Sequence, residues 1–467
     1  MKINAIAAAV ITGLTACAIA TPAVADTDFE FHGYVRSGTL WNTNDGNRRG
    51  YRMGLRANSE GYFRLGNEED TKIELLPTLK WTGGDGVWAK FRVNLTEQTQ
   101  DTGDWKETKY DGEDHFREAF IELGGFSFDP KAVIWAGKRY SQMEISSHQY
   151  SYDYLQNNGT GGGFENLSLG FATWDLGLYS YSADGALDKV TSRESEKKTG
   201  MPDETSVNTW LHGIGGSGLD VQFKYIKVGD VRSDNATIVS QQAQEGLLIS
   251  LLYNTPGFFW FGNGYGKICA QYAKGADAGT KTGQNGWGWG QNRRQETYRV
   301  IFEGLWDVVQ DFSVSFFAMY QHDKALNEWG WGDINNLGTD RTADFYAIGV
   351  RPYHQISRHF AMQYEIGYEA EHHSGSDWQV NGTAQFWKAT ICPTLTLDAG
   401  YWGRPQLRAF ATYGQWNKKT AQMLSVGETE FGNAKYVGNT GVLTNSSNSD
   451  NPTKHAFQVG IQAEAWF

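Results

Sequence analysis

The chain lacks several features that would mark a helical membrane protein or a nucleic-acid-binding protein. Past its amino-terminal stretch, no apolar run approaches the roughly 18 residues that a spanning helix needs. No dense run of Lys or Arg appears, and the formal net charge of the 467 residues is −12. Phosphate backbones attract basic patches, so this charge pattern argues against a nucleic-acid partner.

Motifs for catalysis, metal binding or cofactor binding are also missing. Residues 213–218 match G-x-G-x-x-G, but an alternating strand pattern follows them instead of the helix that dinucleotide binding requires. We interpret them as a hairpin turn. His372 and His373 lack the spacing of a zinc site, and we interpret them as part of an exposed polar loop. We therefore predict a protein that is not an enzyme and has no catalytic residue, metal or cofactor.

A secreted or outer-membrane carbohydrate-active enzyme is the alternative from another functional class. It would need two carboxylates about 5 to 9.5 Å apart across a sugar site. The acidic cluster at residues 68–70 and the pair Glu113-Asp114 are the available candidates. Both fit an acidic loop or a barrel mouth better, so no pair of carboxylates supports this alternative.

Cysteine and proline are scarce, with three and nine residues. Met1-Lys2, an apolar stretch and Ala23-Val24-Ala25 predict a signal peptide at residues 1–25, which leaves 26–467 as a single β-barrel domain. A lipoprotein box ending at Cys17 is the weaker alternative. Cys269 and Cys392 would then lie in an oxidising compartment; we interpret them as two small apolar residues, and a disulfide between them is the alternative.

The chain is rich in segments where apolar and polar residues alternate, in glycine and in aromatic residues. Residues 455–467 place small and apolar side chains on one strand face and Gln462, Glu464 and Trp466 on the other. The chain has 56 glycines, and 14% of its residues are aromatic. Alternating ribbons recur along its length, one of them predicted over about 60–81. The pattern predicts an all-β fold, a transmembrane antiparallel β-barrel of about eighteen strands with long extracellular loops and short periplasmic turns.

The informative side chains are aromatic and charged residues on the polar strand faces, which point into the lumen of a barrel. Tyr34 shares its face with His32 and Arg36, and Trp466 shares its face with Glu464. Sugar rings stack their C–H faces on aromatic rings, and their hydroxyl groups need charged donors and acceptors. The other interpretation is that these aromatic residues pack beneath a loop folded into the lumen; the pattern alone leaves both open.

Several segments resemble the maltoporins, the sugar-specific porins of the bacterial outer membrane. The first strand, F-H-G-Y-V-R-S-G at residues 31–38, is similar to the first strand of that family. Further similar segments follow in order at residues 64–68, 116–119, 135–139, 163–166, 349–352, 365–368, 404–413 and 463–466. The resemblance spans the mature chain and implies an 18-stranded barrel, a homotrimer of three pores and a constriction formed by loops folded inward.

The resemblance also implies roles for individual residues. Tyr34 and Trp466 would belong to a slide of aromatic residues that guides sugars, and Trp105 would reach the pore of a neighbouring subunit. Tyr152 would be the constriction tyrosine. Four residues match the polar track that hydrogen-bonds sugar hydroxyls: Arg36, Arg64, Glu74 and Arg117.

The sequence departs from this family where the slide is expected. Lys72 stands at one slide position, and we place Ile249 and Ile356 at two others. The resemblance thus predicts an outer-membrane channel for facilitated diffusion of sugars, such as malto-oligosaccharides, embedded in outer-membrane lipid. A general diffusion porin without sugar selectivity is the alternative. The preferred sugar, the constriction size and calcium binding stay open.

Overall fold

The computed structural model of the protein describes the chain in a series of stretches. They are residues 26–42, 48–49, 52–56, 61–99, 116–144, 148–151, 154–181, 204–228, 231–232, 239–241, 244–279, 294–324, 342–375, 382–420 and 454–467. Strands dominate these stretches. No helix within them is long and apolar enough to cross a membrane.

Eighteen strands among the described residues form one closed antiparallel barrel. They are β1 (Asp26–Asn42), β2 (Thr71–Thr82), β3 (Trp88–Thr99), β4 (Phe116–Gly124), β5 (Val133–Glu144), β6 (Leu155–Ser168), β7 (Thr173–Tyr181), β8 (Glu204–His212), β9 (Leu219–Val228), β10 (Gln244–Thr255), β11 (Asn263–Gly275), β12 (Glu296–Val309), β13 (Phe312–Lys324), β14 (Thr342–Ser357), β15 (Phe360–Ser374), β16 (Gly382–Thr396), β17 (Gln406–Trp416) and β18 (His455–Trp466). Each strand pairs with the next, and β18 pairs with β1 to close the ring. The predicted barrel and its strand number are confirmed.

The alternating sequence pattern produces two different barrel faces. Apolar side chains such as Ile366, Ile391 and Ile461 are exposed on the outer face, where lipid replaces water. Their polar neighbours in sequence, such as Glu365 and Thr390, are buried on the inner face. Because successive side chains of a strand point to opposite faces, the same period of two supplies a lipid-facing surface and a polar lumen.

Phe467 contributes to barrel closure. The backbone N–H of Gly33 donates to the carbonyl of Phe467 at 2.9 Å, and the N–H of Phe467 donates to the carbonyl of Gly33 at 3.1 Å. The Phe467 ring lies over Gly33 and 5.6 Å from the ring of Phe31. The last residue therefore extends the β1–β18 pairing beyond the end of β18.

Parts of two connections fold into the lumen. They comprise residues 52–56 and 61–70, between β1 and β2, and residues 148–151, after β5. The backbone N–H of Leu55 donates to Glu369 on β15 at 2.6 Å, and Lys388 on β16 donates to the carbonyl of Leu65. The predicted strand over 60–81 is therefore wrong for residues 61–70. These residues contact side chains of the inner wall instead of joining a ladder of strands, and the strand begins at Thr71.

Phe63 anchors this inward segment. Its ring meets Tyr150 edge-on at 4.9 Å, and Tyr150 stacks on Phe317 of β13 at 4.5 Å. Gly349 and Gly367 are register partners on β14 and β15, and a Cβ on either would come within 2.3 Å of the Phe63 ring. The two glycines thus form a notch that admits the ring against the barrel wall.

The described short connections lie at the barrel end opposite to the one from which these inward segments start. They are residues 83–87, 125–132, 169–172, 213–218, 256–262, 310–311, 358–359 and 397–405. Residues 213–218 form the predicted hairpin turn, in which Gly213, Gly215 and Gly216 all adopt positive φ. The predicted short turns at one end of the barrel are therefore present.

The structure also places the His372-His373 pair and the two cysteines, Cys269 and Cys392. His372 and His373 are not part of a loop, because β15 extends to Ser374, and only His372 is exposed; the His373 side chain is fully buried. Its Nε2 lies 3.0 Å from Glu371 Oε1. Cys269 and Cys392 occupy separate clusters of buried residues and do not form a disulfide.

Replacing Gly33 by alanine should weaken barrel closure. The new Cβ would lie 2.5 Å from a ring carbon of Phe467 and 2.9 Å from the carbonyl oxygen of Glu74. Overpacking of this kind costs about 1–3 kcal/mol. We expect a lower temperature of barrel unfolding, measured by heat-dependent gel mobility. Gly84→Ala is the control, since nothing lies within 4 Å of its Cβ position; equal unfolding temperatures would contradict the closure role.

Replacing Phe63 by alanine should loosen the inward segment. The fully buried ring would leave a cavity, and such truncations cost about 3–5 kcal/mol. We expect a larger and noisier single-channel conductance in planar bilayers. Phe128→Ala, in an exposed turn, should leave the conductance unchanged. A Phe63 variant with the wild-type conductance trace would refute the anchoring role.

Candidate functional site

The described inner wall of the barrel has a covered side and an open side. On β9 and β16, the inner side chains of Gln222 and Lys388 are fully buried beneath other residues. On β2 and β4, the side chains of Lys72, Glu74 and Arg117 remain partly exposed. The water-accessible part of the lumen wall therefore lies on the side of the first strands.

Acidic residues of the inward segment bind the arginine of β1. Arg36 donates from Nε and Nη2 to both oxygens of Asp70, at 2.9 and 2.6 Å, and from Nη1 to Glu68 at 2.6 Å. Arg64 also donates to Glu68 at 2.6 Å. Burial alone would raise the pKa of Glu68, but Arg36 and Arg64 hold it below its usual value. Two predicted polar-track residues are thus joined through one ionised carboxylate.

Glu464 of β18 joins four further groups. Its carboxylate accepts from Arg408 at 2.6 Å, from Arg404 at 3.1 Å and from Arg64 at 3.2 Å. The hydroxyl of Tyr34 donates to it at 2.9 Å. One carboxylate therefore ties β1, β17, β18 and the inward segment together at the centre of the predicted site.

Trp466 lies in this cluster, partly exposed, and one of its faces is covered. The guanidinium carbon of Arg404 lies 3.8 Å from the ring centroid. Trp402, in the turn between β16 and β17, lies 6.4 Å from Trp466 and is itself exposed. The two indole rings form an aromatic patch at the end of the lumen where the short turns lie.

The sequence analysis missed Trp402, although a signal was present. Trp402 stands two residues before Arg404-Pro405, where the similar segment 404–413 begins. Trp402 lies in a turn, outside any alternating pattern, so the sequence does not predict which way its side chain points. In the structure Trp402 lies beside Trp466, because Arg404 donates a hydrogen bond to Glu464 and holds the turn against β18.

His148 completes the patch as a neutral ring. Its centroid lies 5.8 Å from Trp466 and 5.6 Å from Trp402. Burial, together with Arg404 and Arg64, holds the pKa of His148 well below its usual value despite the nearby carboxylate. The imidazole therefore contributes polar nitrogens without adding charge at neutral pH.

Lys72, Glu74 and Arg117 form a second charged group on the open wall. Glu74 Oε1 lies 2.6 Å from Lys72 Nζ and 3.5 Å from Arg117 Nη1. Tyr34 and Glu74 are register partners on β1 and β2, and Lys72 Nζ lies 5.8 Å from the Tyr34 ring centroid. Six predicted site residues therefore converge, namely Tyr34, Arg36, Arg64, Glu74, Arg117 and Trp466.

The remaining predicted positions have different outcomes. Trp105 and Tyr152 lie outside the described residues. Ile249 and Ile356 are exposed on the outer, apolar face of β10 and β14. The assignment of these two isoleucines to slide positions is therefore wrong, because a side chain there faces lipid and an aromatic residue would not line the lumen. Lys72 is the one departure that does lie on the inner wall.

No group of three or more His, Cys, Asp or Glu side chains suited to a metal ion occurs in the part of the chain that the structure describes.

A closed 18-stranded barrel with an apolar outside, a polar lumen and segments folded into that lumen is the architecture of an outer-membrane porin. A sequence model of the LamB porin family matches residues 29–467. The chain belongs to the LamB porin family, and its location is the bacterial outer membrane.

The comparison with solved structures gives matches of low identity along most of the chain. OccK2 (OpdF) of Pseudomonas aeruginosa is 9% identical with a TM-score of 0.45, over 94% of this chain and 98% of that one. OpdK of the same organism is 9% identical with a TM-score of 0.42, over 94% and 99%. OmpT of Vibrio cholerae is 9% identical with a TM-score of 0.36, over 94% and 98%. These similarities are too low to bear on function.

Replacing Glu464 by glutamine should destabilise the barrel. The isosteric amide keeps the shape of the side chain but leaves Arg404 and Arg408 without their shared counter-ion. Breaking a buried ion pair on one side costs about 3–5 kcal/mol. We expect a lower unfolding temperature in a heat-dependent gel shift. Glu296→Gln, on a partly exposed pair with Lys274, should change it little; equal effects of both substitutions would argue against this role.

Proposed function

We propose that this porin is a channel for facilitated diffusion of sugars. The observation that carries the proposal is the patch of Trp466 and Trp402 beside Tyr34, next to charged groups on the same wall. Indole and phenol rings suit the C–H faces of a sugar, and guanidinium and carboxylate groups suit its hydroxyls. Apolar rings combined with a few placed polar groups are typical of small-molecule sites.

The mechanism we propose is transient binding at successive positions. The sugar would stack on Trp105, Tyr34 and then Trp466 with Trp402, and Tyr152 would narrow the path. Its hydroxyls would exchange hydrogen bonds with the polar-track residues Arg36, Arg64, Glu74 and Arg117. Binding must be weak and distributed over several sites, because a tightly held sugar would block the channel that it should cross. No bond in the sugar is made or broken.

We further propose that the channel works as a homotrimer. Membership in the LamB porin family supports this assembly, since the maltoporins that the sequence resembles are trimers of three separate pores. Trp105 would then contribute to the pore of an adjacent subunit, and outer-membrane lipid would surround the trimer.

A general diffusion porin without sugar selectivity is the second candidate. Two observations favour it: Arg404 covers one face of Trp466, and the amine of Lys72 occupies the wall beside Tyr34. Both reduce the continuous aromatic surface available to a sugar. In this alternative the same wall would only set the size and charge of the solutes that pass.

Sugar-dependent block of single-channel current separates the two candidates. We expect malto-oligosaccharides, sucrose or related sugars to interrupt the current through the purified wild-type trimer in planar bilayers. Trp466→Ala and Trp402→Ala should each weaken the block about tenfold, the value of one aromatic contact of about 1.4 kcal/mol. Trp260→Ala, in an exposed turn outside the site, is the matched control. If no sugar interrupts the current, the general porin is the correct assignment.

A further inference from the structure

Among the described residues, the two groups of ion pairs around Tyr34 and Trp466, taken together as one network, contain more cations than carboxylates. It includes seven cations, namely Arg36, Arg52, Arg64, Lys72, Arg117, Arg404 and Arg408. They share four carboxylates, which are Glu68, Asp70, Glu74 and Glu464. Seven minus four leaves an excess of three positive charges, and counting the buried neighbour Glu69 leaves two. This excess occurs in a chain whose formal net charge is −12.

The excess of positive charge arises because a single carboxylate pairs with several cations. Glu74 lies 2.6 Å from Lys72 and 3.5 Å from Arg117, so one negative charge faces two positive ones. Glu464 similarly serves Arg64 and Arg404, together with Arg408. A carboxylate can neutralise only one of its partners, so a positive potential remains at each of these groups.

Lys72 and Arg117 are the most exposed charged side chains of this network. The side chains of Lys72 and Arg117 are 22% and 28% exposed. Glu68 and Glu464 are 2% and 0% exposed, and each pairs with an arginine. Glu74, at 20%, is the one carboxylate of the network that is comparably exposed. The network therefore presents mainly positive charge to a solute in the lumen.

Aromatic faces accompany these exposed cations. Lys72 Nζ lies 5.8 Å from the ring centroid of Tyr34, and the guanidinium of Arg117 lies 3.8 Å from that of Tyr140. The rings hold the cations by cation–π attraction, and the cations keep their positive charge. Lysine and arginine are the residues that bind carboxylate and phosphate groups in proteins.

We propose that this channel takes sugars that carry a negatively charged carboxylate or phosphate group, and that Lys72 and Arg117 bind that group. The proposal rests on the proposed sugar channel and names its substrate class. Tyr34 supplies a stacking face for the sugar ring, and the anionic group displaces part of the contact between the two cations and Glu74. Basic residues that line a pore select anions in the same way.

The wild-type trimer in planar bilayers provides the first test. We expect an oligogalacturonate to block the current at a concentration at least about tenfold lower than a neutral oligosaccharide of equal length, and a phosphorylated malto-oligosaccharide to behave likewise beside its unmodified form. The two anionic probes distinguish carboxylate from phosphate recognition. Raising the salt from about 0.1 to about 1 M should shrink the preference, because salt screens charges in water.

Variants assign the preference to the site. Lys72→Gln and Arg117→Gln should each reduce the preference for the charged sugar severalfold, measured as the ratio of the concentrations at which the neutral and the charged sugar block the current. Lys90→Gln, on β3 of the same barrel side but outside the network, should retain the wild-type preference. If Lys72→Gln and Arg117→Gln both retain it, the assignment to these residues is wrong.

The outcomes for the wild-type channel separate the two proposals. Equal block by charged and neutral sugars would overturn the anionic substrate class and leave the sugar channel standing. The absence of block by any sugar would overturn the sugar channel itself. This comparison needs no substitution, so it decides the question even if a variant fails to assemble.

Discussion

Every backbone N–H and C=O of a strand must find a partner where lipid replaces water, and the rest of the structure depends on this constraint. It is met only if the sheet closes, so β1 and β18 must pair although they come from opposite ends of the chain. Phe467 continues that pairing to Gly33, and a residue with a side chain would not fit beneath its ring. The terminal aromatic residue and the first strand are therefore a single structural unit.

Closure creates a polar lumen, and the charged side chains buried in this lumen need counter-ions. The inner wall carries Arg36 and Arg408, and the inward segment brings Glu68 and Asp70 to the same region. Burying an arginine without a counter-ion costs several kcal/mol, so the segment is held where its acids meet the wall. Phe63 adds an apolar contact in the notch formed by two glycines, where a side chain would collide.

The same arrangement governs what a solute encounters. The acids that hold the inward segment are buried in ion pairs with arginines, whereas Lys72 and Arg117 are partly exposed on the open side of the lumen. Trp466 and Trp402 lie at the end with the short turns, with Arg404 over one ring face. In the proposed channel, structural ion pairs and the transport path therefore share side chains, so a substitution in the network is expected to alter both folding and passage.

Residues within regular strands could be predicted, and residues placed by loops could not. Tyr34 and Trp466 were assigned to the inner face because a period of two leaves no other choice within one strand. Ile249 and Ile356 were assigned wrongly, since an error of one residue in register moves a side chain to the opposite face. Residues 61–70 alternate like a strand, but their backbone finds no continuous ladder and crosses the lumen instead.

The sequence by itself determined the barrel, its eighteen strands and its family, because the alternating pattern and the similar segments extend along the whole chain. It also placed Tyr34, Glu74 and Trp466 on the lumen side. Only the tertiary structure decided that Trp402 joins Trp466 and that Lys72 and Arg117 share Glu74. These contacts form between strands and turns brought together by closure, so their geometry is absent from any local pattern.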